Sequence, residues 1–151
     1  MAVDHKELEA LLGSLEAAEK EMVEHEKKVA RNLAARLLRD TVKNTPVGIY
    51  PADTGKVGGT LRRGWQTSET KEESGGITID MFNLTEYASY VEYGHRQEVG
   101  RYVPALGKRL KSPWVEGRFM MTNAERRLAV HAQAITDSMT QVWLEGLRNG
   151  R

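Results

Sequence analysis

Two spacings in this 151-residue chain could do chemistry. Glu21 and His25 stand four residues apart, the separation that puts a carboxylate and an imidazole on one face of a helix. The run Gly55-Lys56-Val57-Gly58-Gly59-Thr60 combines glycines with a lysine, as phosphate-cradling loops do. Neither completes a site. A helical metal pattern needs a second histidine in register, whereas His5, His95 and His131 are scattered. The glycine run lacks the Walker spacing and no apolar strand leads into it, so a loop that needs positive φ angles is the better account. The absence of cysteine removes disulfides, thiolate ligands and cysteine nucleophiles. No nucleophile elbow, flanked acid pair or dinucleotide fingerprint is present. The expectation is a non-enzymatic chain with no metal and no cofactor.

A third cluster is more informative. Residues 95–118, "HRQEVGRYVPALGKRLKSPWVEGR", carry Arg96, Arg101, Lys108, Arg109, Lys111 and Arg118 against only Glu98 and Glu116, with Tyr102 and Trp114 interleaved. A loop this long within a compact domain is functional or disordered. It reads first as an arm docking on a protein partner and second as a solvated loop. Nucleic-acid contact by the basic and aromatic residues comes third, because no recognised binding motif accompanies the charge.

The elements around these residues follow from pattern. Up to Glu26 the chain has eight acids against Lys6 and Lys20; from Lys27 to Lys43 it has six bases against Asp40. Acids first and bases last complement a helix macrodipole, so one long helix is expected over 1–44. Its stripe runs Leu8, Leu11, Leu15, Ala18, Met22, Val29, Leu33, Leu37. Gly13 weakens its first turns, and His25 falls where the seam wants an apolar residue. The stripe packs either on its own domain or against a neighbouring subunit. Thr45-Pro46 ends the helix.

Beyond the glycine loop, Trp65, Thr67 and Glu69 alternate with polar residues, "KEESGG" makes a polar tip, and Ile77, Ile79 and Met81 alternate again, which predicts a hairpin. Asn83 and Glu86 have capping-box spacing ahead of the short helix "YASYVEYG". At about 100° per residue, Tyr87, Tyr90 and Val91 share a face of that helix, Tyr93 flanks it and Glu92 points away. The tyrosines are therefore read as packing residues, Glu92 as an outward acid free to meet a partner, and Gly94 as the C-terminal cap. Thr122 and Glu125 suggest a second capping box. It opens a last amphipathic helix with the face Leu128, Ala132, Ile135, Met139, Val142, Trp143, frayed by Gly146 and Gly150.

At 40% hydrophobic and 28% charged residues, with net charge +1, the composition suits one globular domain with a helical extension and a limited core, which favours association. No secretory signal is recognisable in "MAVDHKELEA" and no apolar run approaches a membrane span, so a soluble protein made in the cytoplasm is expected.

Five segments in order resemble a known family: "TPV" at 45–47, "DTG" at 53–55, "LRRGW" at 61–65, "YASYVEYG" at 87–94 and "VEGRFMMTNA" at 115–124. They are similar to the head-tail joining proteins of tailed bacteriophages, the small neck or tail-completion proteins of siphophages and prophages. "GIYPA" and "VGGT" look like insertions against that pattern. The resemblance covers roughly residues 45–125 and implies an α+β unit over 45–151, with a small antiparallel sheet, a short central helix and the basic loop. It implies a homo-oligomeric ring, a hexamer or dodecamer, at the head-tail interface of the virion. The ring would sit between a connector or head-closure protein and the tail terminator or tail tube, and DNA would pass without sequence-specific contact. Arg62, Arg63, Trp65, Tyr87, Tyr90, Glu92, Arg118 and Phe119 are then candidate interface residues, Glu92 facing Arg62 or Arg118 of a neighbour. The basic loop residues Arg96, Arg101, Lys108, Arg109 and Lys111 would meet the acidic half of the first helix. The alternative is a nucleic-acid-binding module, or an assembly factor absent from the finished particle, that uses the same loop.

Overall fold

The structure, a computed structural model, describes residues 5–50, 53, 55, 57–104 and 107–149. Asp4, Pro51, Ala52, Thr54, Lys56 and Gly150, named above, lie outside the described residues.

The segregated charge and continuous stripe give one uninterrupted helix, α1, His5–Asn44. Its end is fixed by Thr45, whose hydroxyl donates to the Thr41 carbonyl at 2.7 Å and so satisfies one acceptor that the last turn leaves open. The last helix, α4, Met120–Arg148, runs antiparallel to it. Asp40 of α1 meets Arg127 near the start of α4, and His25 meets Thr140 near its end. His25 does occupy the seam, its ring stacked on Trp143 with centroids 4.6 Å apart.

Between the helices lie a short helix α2, Thr60–Arg63, and two antiparallel hairpins. The first hairpin is where it was expected, but it is interrupted, and most of its expected tip, Lys71–Glu73 and Gly76, is paired strand with the turn confined to Ser74 and Gly75. Strand β1, Trp65–Thr67, pairs with β4, Met81–Asn83, while β2, Lys71–Glu73, pairs with β3, Gly76–Thr78. Residues 68–70 face only residues 79–80, an extra residue of the kind that bends a strand. The bend carries β2 towards α1, where Lys27 bridges Glu24 and Glu72 at 2.8 and 2.7 Å.

The basic segment is not a loop. It forms a second hairpin, with β5, Gly94–Arg96, pairing β8, Trp114–Glu116, and β6, Tyr102–Val103, pairing β7, Lys108–Arg109. Backbone bonds from Gln97 to Pro113 and between Gly100 or Arg101 and Leu110 join the two ladders, so the segment is a structured arm. Alternating short strands within so polar a stretch gave no apolar period from which to predict it.

The core is small. Leu61, Trp65 and Met120 are buried together, lined by Leu38, Val42, Met81, Ala88, Val91 and Met121. Elements from both ends of the chain thus meet at the first hairpin, and the α+β architecture that the resemblance implies is what the chain adopts.

Candidate assembly interface

The helix "YASYVEYG" shows how this fold positions its surface. It is α3, Ala88–Tyr93. Asn83 does not form a capping box with Glu86; its side chain accepts from Thr85 N–H and hydroxyl at 3.0 and 2.7 Å, an Asx-type turn before the helix. The expected faces do not hold: Val91, grouped with Tyr87 and Tyr90, lines the core beside Ala88, while the tyrosines turn outward. Tyr87, Tyr90 and Tyr93 are 45%, 58% and 56% exposed, whereas Glu92 is only 3% exposed.

Glu92 therefore does not point outward. Its carboxylate accepts from Met121 N–H at 3.1 Å, Thr122 N–H at 2.9 Å and Thr122 hydroxyl at 2.9 Å, which makes it the N-terminal cap of α4. The residue at the local cap position is Phe119, in a left-handed conformation (φ 48) and without a side-chain cap bond of its own. The acid thus comes from thirty residues away, and Thr122 serves the first turn of α4 rather than preceding it. A carboxylate at a helix N-terminus satisfies open N–H donors and opposes the positive end of the dipole, which is why a buried charge is tolerated here. The joint is reciprocal: Arg118 and Phe119 N–H donate to the Val91 and Glu92 carbonyls at 2.8 and 3.0 Å, closing the C-terminal turn of α3.

Two glycines let these elements meet. Gly94 ends α3 at φ +84, and a Cβ there would collide with the Val115 carbonyl and Gly117. A Cβ on Gly117 would strike the Glu92 carbonyl and the Tyr93–Gly94 peptide. Gly94 was legible as a cap; Gly117 gave no sequence signal, because its need is the crossing of a distant segment.

The other candidate residues fall into three groups. Trp65 is buried, and its indole N–H donates to Thr45 Oγ1 at 2.8 Å; Arg62 holds the Thr45 carbonyl with two bonds of 2.6 and 3.1 Å. Thr45 is thus the hub that locks the "LRRGW" segment onto the end of α1, a role that nothing in its local sequence announced. Arg63 is exposed and donates to the Gly58 carbonyl at 3.2 Å. Arg118 and Phe119 line an open cleft of about 370 Å³ with Asn44, Pro46 and Asn123. In the arm, Arg96, Arg101, Lys108, Arg109 and Lys111 are all exposed alongside Tyr102 and Trp114, and Arg109 donates back to the Gly100 carbonyl at 2.7 Å. The fold therefore brings the tyrosine face of α3 to the base of the arm, where Tyr90 meets His95 edge-on at 5.7 Å. It turns Trp65, Arg62 and Glu92 inward.

Apolar surface is the other resource. Every residue from His5 to Met22 is exposed, among them Leu8, Leu11, Leu12, Leu15 and Met22. Val142, placed on the packing face of α4 by its periodicity, is 68% exposed. Among the described residues no cluster of metal-ligating side chains occurs, and no helix is long and apolar enough to cross a membrane.

The chain matches no curated protein and no solved structure. A family model described as "Bacteriophage HK97-gp10, putative tail-component" matches residues 9–94, which takes in most of α1 and ends at Gly94, before the arm and α4. The core segments "TPV", "LRRGW" and "YASYVEYG" lie within that match, together with more than half of the chain, and on this ground the chain belongs to the HK97-gp10-like family of phage tail components.

Proposed function

We propose that the chain is a structural subunit of the phage head-tail connector, a neck or tail-completion protein that assembles as a hexameric or dodecameric ring between the packaged head and the tail. The observation that carries this reading is the family match, taken with a surface that leaves leucines and tyrosines exposed around a small core. In that reading residues 45–151 form the neck-like unit and residues 1–44 its helical extension. The ring leaves a channel for DNA and offers docking surfaces to a connector or head-closure protein on one side and to tail terminator or tail tube proteins on the other. Its place is the virion, and its work is mechanical rather than catalytic. The tyrosine face of α3 and the basic arm are the surfaces this reading assigns to neighbours; the arm's cations are placed to meet acidic protein surface or passing phosphates. Deleting the gene from its phage should leave DNA-filled heads and separate tails in the lysate, joined again by the purified protein. Normal particles from the deletion would reject the reading.

A second reading is favoured by one observation, the five exposed cations beside Tyr102 and Trp114 on a structured arm. It makes the chain a DNA-binding assembly factor absent from finished particles. It predicts DNA binding by the free subunit that falls steeply with salt and disappears when Lys108, Arg109 and Lys111 are neutralised.

A further inference from the structure

The α1–α4 pair is open along one side. A cavity of about 570 Å³ between the helices, lined by Leu37, Leu128 and Ile135, meets a second of about 550 Å³, lined by Val142, Trp143 and Leu147, at their shared residues Ser138 and Met139. Together they form one apolar groove that follows α4 from Ala124 to Leu147, about 35 Å of helix. The same chain carries an unpartnered ridge. From His5 to Met22, about 27 Å of helix, α1 runs in the open with Leu8, Leu11, Leu12 and Leu15 between 43% and 57% exposed. Because α1 is unbroken from His5 to Asn44, the ridge points away along the helix axis and cannot fold back into its own groove.

We infer that the leucine ridge of one copy docks in the α1–α4 groove of the next. Ridge and groove match in chemistry, and the ridge is shorter than the groove it would enter. Their charges also agree: Glu7, Glu9, Glu16 and Glu19 flank the ridge, while Lys28 and Arg36 stand in the groove, with Arg31 and Arg39 on the same helix. Of the groove's three acids, Glu24 and Asp40 are already paired with Lys27 and Arg127, which leaves Glu21 at one end against Lys28 and Arg36. A contact between two different patches of one chain is heterologous, so it repeats around an axis and closes into a ring when the rotation permits. The inference rests on the ring-subunit reading and names the surfaces that build the ring.

The cysteine-free chain makes the test clean. Leu12→Cys is combined in turn with Ala134→Cys, Ser138→Cys and Val142→Cys, all exposed positions, and the purified full-length chain is oxidised at its highest soluble concentration. The expected result is a ladder of covalent dimers, trimers and higher species from at least one double variant. A mixture of the two matching single variants should give heterodimers across Leu12→Cys and the groove cysteine. Leu11→Glu with Leu15→Glu should abolish the oligomer in native mass spectrometry while leaving the thermal transition unchanged, since both side chains are exposed. Oligomers that form without a ridge-to-groove cross-link overturn the inference and leave the ring reading standing; a chain that stays monomeric overturns the inference too. Absence of the chain from DNA-filled particles rejects the ring reading, whatever the cross-linking shows.

Discussion

Glu92 Oε1 accepts from both the backbone N–H and the hydroxyl of Thr122 at 2.9 Å, so the short tyrosine helix holds the first turn of the C-terminal helix from thirty residues away. Glu92→Ala removes the acceptor from three donors and should cost about 2–3 kcal/mol in urea unfolding, with Glu92→Gln losing roughly half as much because one oxygen remains. Glu92→Lys should disturb folding before it disturbs assembly. A stable Glu92→Ala variant would contradict the capping role.

Gly94→Ala and Gly117→Ala should each destabilise the fold by about 2 kcal/mol or more, since each new Cβ meets backbone and Gly94 also has positive φ. Gly13→Ala is the opposite case. Nothing lies within 4 Å of its Cβ direction and it sits inside a helix, so the change should raise helix stability by about 1 kcal/mol and increase the circular dichroism signal at 222 nm on a helix-content scale.

Trp65→Ala should cost about 3–5 kcal/mol, as for other buried large side chains. Trp65→Phe should cost less, about 1–2 kcal/mol, through loss of the bond to Thr45 and some packing. Denaturant midpoints measure both.

The Asp40–Arg127 pair ties the two long helices at 2.7 Å, and the Arg127 hydrogen bond is the main cause that holds the Asp40 carboxyl below its ordinary value of 3.8. Its stabilisation is fully present above 3.8 and is lost as the pH falls through the lower folded value. With side chains a third and a half exposed, the contribution is under about 1 kcal/mol and shrinks with salt. Asp40→Asn should therefore lower the melting temperature slightly at pH 7, and the difference from the parent chain should vanish in strong acid.

Neutralising Lys108, Arg109 and Lys111 together should leave unfolding within about 0.5 kcal/mol of the parent, because all three are exposed. The same variant should weaken head-tail joining in a complementation assay. Full activity would remove the arm from the interface.

Much of this architecture was legible. Segregated charge marked α1 to its last turn, and alternation marked the first hairpin. The misreadings share one physical cause. A helical wheel takes no account of what the rest of the fold offers, and at α3 three distant hydrogen-bond donors drew Glu92 inward beside Val91 while the three tyrosines stayed outside. Thr45 and Gly117 were silent for the same reason, because their work depends on segments that only the fold brings close. The arm hid its strands because each is only two or three residues long, too short to display an alternation.

The most direct test of the ring reading is the copy number of this chain in purified DNA-filled particles, measured by quantitative mass spectrometry against the major capsid protein. A fixed count of about six or twelve, as a closed cyclic ring requires, is the predicted result. Absence from particles, with abundance in the producing cell, would contradict it.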